Sequence, residues 1–262
     1  MVHAVYKFMD RTLKVVEIPA SLKPSQGFPL IRLGSARDGG YLIDQRLTGN
    51  NLISFGISGD WRFEQDWRGV NPKCQICTYD GSISLEFFII KFLKNRLRLD
   101  NLPMIHRNFT NIIEFNSFIK GKTQFFAEFI GSQPGQSSFR SALYRMNSSE
   151  DRSLFVKIDI EGSEYDILDE LVEHQQFICG LAIEFHDVSE NIERICDFVD
   201  NFHLNICNSH ANNCLPKNNV NNDPCIEMTF SYLDGDQQLP SVPHPLEADN
   251  DSSCEPVIIK FV

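Results

Sequence analysis

Short apolar runs alternate with stretches of helical periodicity along most of this chain, and that alternation predicts its fold class. Leu30 to Ile43 splits into two apolar pieces around Asp38-Gly39-Gly40, the pattern of a hairpin or sharp turn. The apolar runs at 51–55, 75–80, 123–130, 154–160 and 179–186 are too short for helices and read as strands of a buried parallel sheet. Between them, Ser82 to about Leu97 and Phe139 to Met146 read as helices. After Gly162, with Ser163 as cap, Tyr165, Leu168, Leu171 and Val172 share one helical face. After Ser189, Ile192, Ile195, Cys196, Val199 and Phe202 do the same. Residues 203–207 and the alternating 225–232 predict a closing pair of strands, with 257–262 a final edge strand. Residues 1–30 read as a helical lead-in and a proline-containing loop, and 234–256 as an acidic, mobile loop. One α/β domain over 1–262 is expected.

Polar chemistry gathers where the strands end, which is where ligands sit in open α/β sheets. Gly56 and Gly59 follow the strand at 51–55, with Asp60 and Glu64 just beyond. Glycine there lets the backbone approach a ligand closely, although the full dinucleotide fingerprint lacks its third glycine. Asp80 ends the next strand, 24 residues after Gly56, a spacing at which an acid can take ribose hydroxyls. Asp159, Glu161 and Glu164 crowd the end of the strand at 154–160. They can bind a cation, accept a proton or hold a polar ligand, or simply favour a helix start. Glu184 and His186 end the strand that follows.

Composition narrows the partners. A net charge of −11 argues against a general nucleic-acid binder, which needs a basic face. Lys91, Lys94, Arg96, Arg98 and Arg107 read as a solvated helix end. Met1 to Leu13 lacks the apolar core of a signal peptide, and Leu85 to Leu93 is short and interrupted by Lys91. No integral membrane segment is therefore expected. The eight cysteines form no framework, and Cys74-Gln-Ile-Cys77 has no second pair at zinc-finger spacing. Reduced thiols in a cytoplasmic protein are expected. Three Asn-x-Ser/Thr matches, at Asn108, Asn147 and Asn250, read as chance in an Asn-rich chain.

Strands alternating with helices, closed by the pair at 203–207 and 225–232, resemble the class I methyltransferase fold. This is a Rossmann-like, mostly parallel seven-stranded sheet with helices on both faces and an antiparallel closing hairpin. More specifically the chain resembles the FkbM-type S-adenosylmethionine-dependent methyltransferases. The motifs are Asp38-Gly-Gly-Tyr41, Ser54-Phe-Gly-Ile-Ser-Gly-Asp60, Lys157-Ile-Asp-Ile-Glu-Gly-Ser-Glu164, Ile183-Glu-Phe-His186, His210-Ala-Asn-Asn213 and Ile226-Glu-Met-Thr-Phe230. They occur in the family's order over about residues 30–232. The glycine loop departs from the fuller Gly-x-Gly-x-Gly form.

The resemblance implies methyl transfer from S-adenosylmethionine to a hydroxyl, in this family often on a sugar, glycan or polyketide-type product. It carries cofactor contacts onto Asp38, Tyr41, Gly56, Ser58, Gly59, Asp60, Glu64 and Asp80. Asp80 would accept both ribose hydroxyls, and Phe125 or Phe126 would flank the adenine, unless these rings serve the core. His186 is the first candidate for the base, with a structural histidine at a strand end as the alternative. Asp159 and Glu184 are further catalytic candidates, able to converge on a magnesium ion that acidifies the acceptor hydroxyl. Glu161, His210 and Asn212 would line the acceptor pocket, with an Asx-rich turn the alternative for the last two. Two other classes compete. One is a nicotinamide-dependent oxidoreductase, disfavoured by the missing glycine and the closing hairpin. The other is a module that binds the cofactor without catalysis. The acceptor and the oligomeric state are not legible in the sequence.

Overall fold

The computed structural model describes residues 14–84, 86, 90, 112–147, 150–213, 225–236, 238 and 240–262. The strands are β1 (Lys14–Ile18), β2 (Leu30–Gly34), β3 (Gly40–Asp44), β4 (Asn51–Phe55), β5 (Ile76–Tyr79), β6 (Thr123–Phe126), β7 (Leu154–Ile158), β8 (Ile178–Phe185), β9 (Asn205–Asn212), β10 (Cys225–Ser231) and β11 (Val257–Phe261). The helices are α1 (Arg62–Val70), α2 (112–118), α3 (Phe139–Met146), α4 (Leu168–Glu173) and α5 (Val188–Asn201).

Seven strands form one sheet in the order β6-β5-β4-β7-β8-β10-β9. β10 runs antiparallel to both its neighbours, and every other pairing in the sheet is parallel. The fold is the expected Rossmann-like α/β sheet with an antiparallel closing hairpin. All five residues of β7 and all eight of β8 are buried, so these strands carry near-continuous apolar runs rather than alternation. Leu154, Val156 and Ile158 face a core that includes Phe139 and Leu143 of α3, Leu171 of α4, and Ile195 and Phe198 of α5. Phe155 faces the opposite core, with Phe63 and Trp67 of α1 and with Tyr41 and Ile43 of the β2–β3 hairpin. That hairpin forms as expected and covers one face of the sheet beside α1.

Several boundaries differ from expectation for local reasons. Residues 14–18 are strand, not helix, and β1 pairs in parallel with β11 in a separate two-stranded sheet. The final strand is thus not an edge of the main sheet. β9 continues to Asn212, which puts His210 and Asn212 in a strand rather than a turn. Ser163 makes no side-chain cap, and the chain passes through a 3-10 turn, Glu164–Ile167, into α4. Ser189 is not a cap either: α5 begins at Val188, behind Asp187 in the left-handed region with φ +46°. Most of the helix expected from Ser82, and the basic cluster, lie outside the described residues. No described helix is long and apolar enough to cross a membrane.

Candidate functional site

Strand register builds the site. Phe55 lies opposite both Tyr79 and Ile158, and Ile158 lies opposite Ile183. The next residues, Gly56, Asp80, Asp159 and Glu184, therefore leave four adjacent parallel strands at one level. Antiparallel β10 joins the row, with Glu227 opposite Glu184 on one side and His210 on the other. Above this row opens a cavity of about 520 Å³ lined by the glycine loop, Asp80, Asp159, Glu184, His186 and Asn212, among others. Its size falls within the range of small-molecule sites.

Close packing explains the glycine loop. Gly56 has φ +76°, and a Cβ there would sit 1.7 Å from the Asp159 carbonyl oxygen. Lys157, buried in β7, donates to the Gly56 carbonyl at 2.5 Å and stands 3.6 Å from Asp159 Oδ2. Burial alone would lower its pKa, but Asp159, Glu64 and Glu184 outweigh that and hold it a cation. Asp80 Oδ2 accepts from the backbone N–H of Ile57 (3.1 Å) and Ser58 (2.6 Å). Its Oδ1 accepts from Ser82 N–H (2.7 Å) and the Ser82 hydroxyl (2.5 Å). Oδ2 is thus committed to shaping the loop, and acceptance of two ribose hydroxyls by both oxygens is not open. Rotation of the Ser82 hydroxyl frees Oδ1 alone.

The acidic end of the row is a hydrogen-bonded network. The Tyr41 hydroxyl lies 3.1 Å from Asp159 Oδ2 and 3.3 Å from Glu184 Oε2. Asn212 Nδ2 donates to Glu184 Oε1 (3.0 Å) and to Asp38 Oδ1 (3.1 Å). Burial, then the nearby charges of Asp159 and Glu227, raises the Glu184 pKa well above the carboxylate range. Tyr41 is raised likewise, chiefly by burial, and stays a phenol. Asp159 Oδ2 faces the Tyr41 hydroxyl and the Lys157 ammonium, and the two Glu184 oxygens face that hydroxyl and the Asn212 amide. The buried Lys157 ammonium already supplies a cation beside Asp159, and no observation supports magnesium between these two acids.

His186 departs furthest from expectation. Its Nδ1 lies 3.2 Å from Glu164 Oε1, a fully buried carboxylate that also accepts the His186 backbone N–H at 2.7 Å. Burial by itself would lower the imidazole pKa, but hydrogen bonds to Cys225 and Glu164 push it up to about 12. A protonated imidazole has no lone pair for a further proton, which weighs against His186 as the general base.

The other expected residues divide. Asp38, Ser58, Gly59, Asp60, Glu161 and Asn212 line the cavity. Asp60 is paired with Arg62, whose hydrogen bonds outweigh burial and hold its pKa down. Tyr41 lies beneath the acids, 1% exposed, and does not line the cavity. Glu64 is buried inside the sheet layer, accepting from Ser54 Oγ at 2.5 Å, and does not reach the cavity. Phe126 stacks on Tyr79 under Arg145, and Phe125 packs on Phe115; Phe129 and Ile130 line the cavity instead. His210 is turned to Asn250 (3.0 Å) and Glu247 (3.6 Å), away from the cleft. Sequence reasoning missed Lys157 and Cys225 as site residues, and placed Glu164 at the strand end without its partner His186. Lys157 carried a signal, since a charged residue inside a buried apolar run needs partners.

Comparison with known proteins adds little to this geometry. No protein-family model matches the chain, and no curated protein does. Among solved structures it is similar to the precorrin-6y C5,15-methyltransferase of Geobacter metallireducens, at 9% identity and TM-score 0.34, covering 69% of this chain and 79% of that one. A fibrillarin/Nop5p complex matches at 8% identity and TM-score 0.38, with 70% and 73% covered. A methyltransferase from Pyrococcus furiosus matches at 11% and 0.34, with 70% and 75% covered. At these scores the fold assignment rests on strand order and register, not on the likeness.

Proposed function

We propose that this chain is an S-adenosylmethionine-dependent O-methyltransferase of the FkbM type, acting on a hydroxyl of a sugar, glycan or glycosylated metabolite. The observation that carries the reading is the single row of strand ends, which joins a glycine loop, an acid at the second strand and a proton-accepting acid pair in one cavity. The residues present fit the cofactor, which when bound supplies an electrophilic methyl on a sulfonium. The backbone from Gly56 to Gly59 would hold its methionine part, Asp80 Oδ1 would take a ribose hydroxyl, and Phe129 with Ile130 would flank the adenine. The Asp159–Glu184 pair, with proton affinity raised at Glu184, receives the acceptor's hydroxyl proton in place of His186. Tyr41 and Asn212 hold that pair in position.

The test is transfer of a labelled methyl group from S-adenosylmethionine to a panel of sugar hydroxyls. Label in an acceptor, reduced at least about 100-fold by Glu184→Gln, is expected if the pair is the base. Cofactor binding with no label in any acceptor would leave a binding module and overturn the catalytic reading.

A further inference from the structure

At the acceptor end of the cavity, three side chains with metal-ligating atoms meet. Glu184 and His186 leave the end of β8, and Cys225 opens antiparallel β10 beside them. Their ligand atoms lie within 4.8 Å of one another, all three side chains are buried, and all three line the cavity. The ring is already oriented, with Nδ1 committed to Glu164 and Nε2 turned to the rim, 3.5 Å from Glu161 Oε2. Glu164 is itself held, accepting from Gly162 N–H at 2.8 Å. A buried carboxylate on one imidazole nitrogen, with the other turned to the remaining ligand atoms, is the outer-shell arrangement that fixes metal-binding histidines. Glu184 has matching support from Tyr41 and Asn212.

We propose that Glu184, His186 Nε2 and Cys225 Sγ form a binding site for a single Zn2+ ion. One thiolate, one imidazole and one carboxylate suit a borderline-soft ion and not magnesium. Three protein ligands leave a fourth tetrahedral position facing the cavity. Glu161, with its side chain 79% exposed, stands beside that position at the rim. On binding, the Cys225 thiol proton and the Nε2 proton of His186 pass to solvent, while the other ring proton stays on Nδ1, donated to Glu164. A hydroxyl in the open position would be acidified by the ion; that consequence rests on the methyl-transfer reading, whereas the site does not.

The test is titration of the metal-stripped protein with Co2+, followed by displacement with Zn2+. S-adenosylmethionine binding and far-ultraviolet circular dichroism run alongside as separate readouts. One equivalent is expected to give tetrahedral visible bands and a thiolate-to-cobalt charge-transfer band. Cys225→Ser should abolish that band, and Cys196→Ser should leave it unchanged. Glu164→Gln should weaken affinity by about 10- to 100-fold. X-ray absorption at the zinc edge needs no variant and should count one sulfur among the ligands. No stoichiometric binding, a band that survives Cys225→Ser, or a sulfur count other than one would overturn the site, whatever the cofactor titration shows.

Discussion

Glu64 and Lys157 show what individual residues do beneath the site. Glu64 is buried, with Oε1 bonded to Ser54 and no hydrogen-bond partner for Oε2 among the described residues. Burial, the largest effect, raises its pKa, and Lys157 only partly offsets it. A carboxyl raised in the fold binds protons more tightly folded than unfolded. Its contribution is therefore most favourable at low pH and is lost as pH rises from its unfolded value near 4.5 through its folded value. Chemical denaturation of wild type and Glu64→Gln across this range should show wild type losing ground as pH rises. A difference independent of pH would show that Glu64 is ionised at no cost. Glu64 lies ten residues after Ser54, close enough to the glycine loop to be mistaken for a ligand residue from sequence. Only the helical phase of α1, which turns it inward with Phe63 and Trp67, reveals its burial.

At the scale of elements, the site depends on β4 and β7 ending flush. Gly56→Ala would drive a Cβ into the Asp159 carbonyl oxygen while holding φ at +76°. It should cost at least about 3 kcal/mol in urea denaturation. Gly59→Ala meets nothing within 4 Å and should stay within about 0.5 kcal/mol. Equal effects would contradict the close approach of these two strand ends. The parallel strands of the main sheet, the β2–β3 hairpin and α3 were legible because buried parallel strands and amphipathic helices leave strong periodic signals. Helix starts were not. Ser163 and Ser189 have the right residue type, but left-handed Glu161 (φ +54°) and Asp187 set the chain's exit from each strand. The partners of His186 and His210 were equally hidden. They depend on Glu164 and on Asn250, which the fold brings 22 and 40 residues across the chain.

Across the whole molecule, charge is sorted along the row of strand ends. The loop end carries Asp80 satisfied by backbone N–H groups, and the far end carries Asp159, Glu184 and Glu227 with Lys157 as the buried cation. Burial, then Glu247, keeps the Glu227 pKa well above the carboxylate range, and Asn250 Nδ2 donates to it at 2.7 Å. The segment 247–251, read from its acids and prolines as a mobile loop, is tied to the sheet by Asn250 and to Asn213 by Asp251 N–H at 2.9 Å. The sequence pattern could place acids at strand ends but not sort them by partner. The central proposal is that the Gly56–Asp80 end of this cavity holds S-adenosylmethionine. Calorimetric titration of the protein with that cofactor, beside Asp80→Ala and Asp80→Asn, addresses it most directly. Saturable one-to-one binding is expected, weakened at least about tenfold in both variants, because asparagine can still shape the loop but loses the charged acceptor. No binding to wild type, or binding equally tight in both variants, would contradict the assignment.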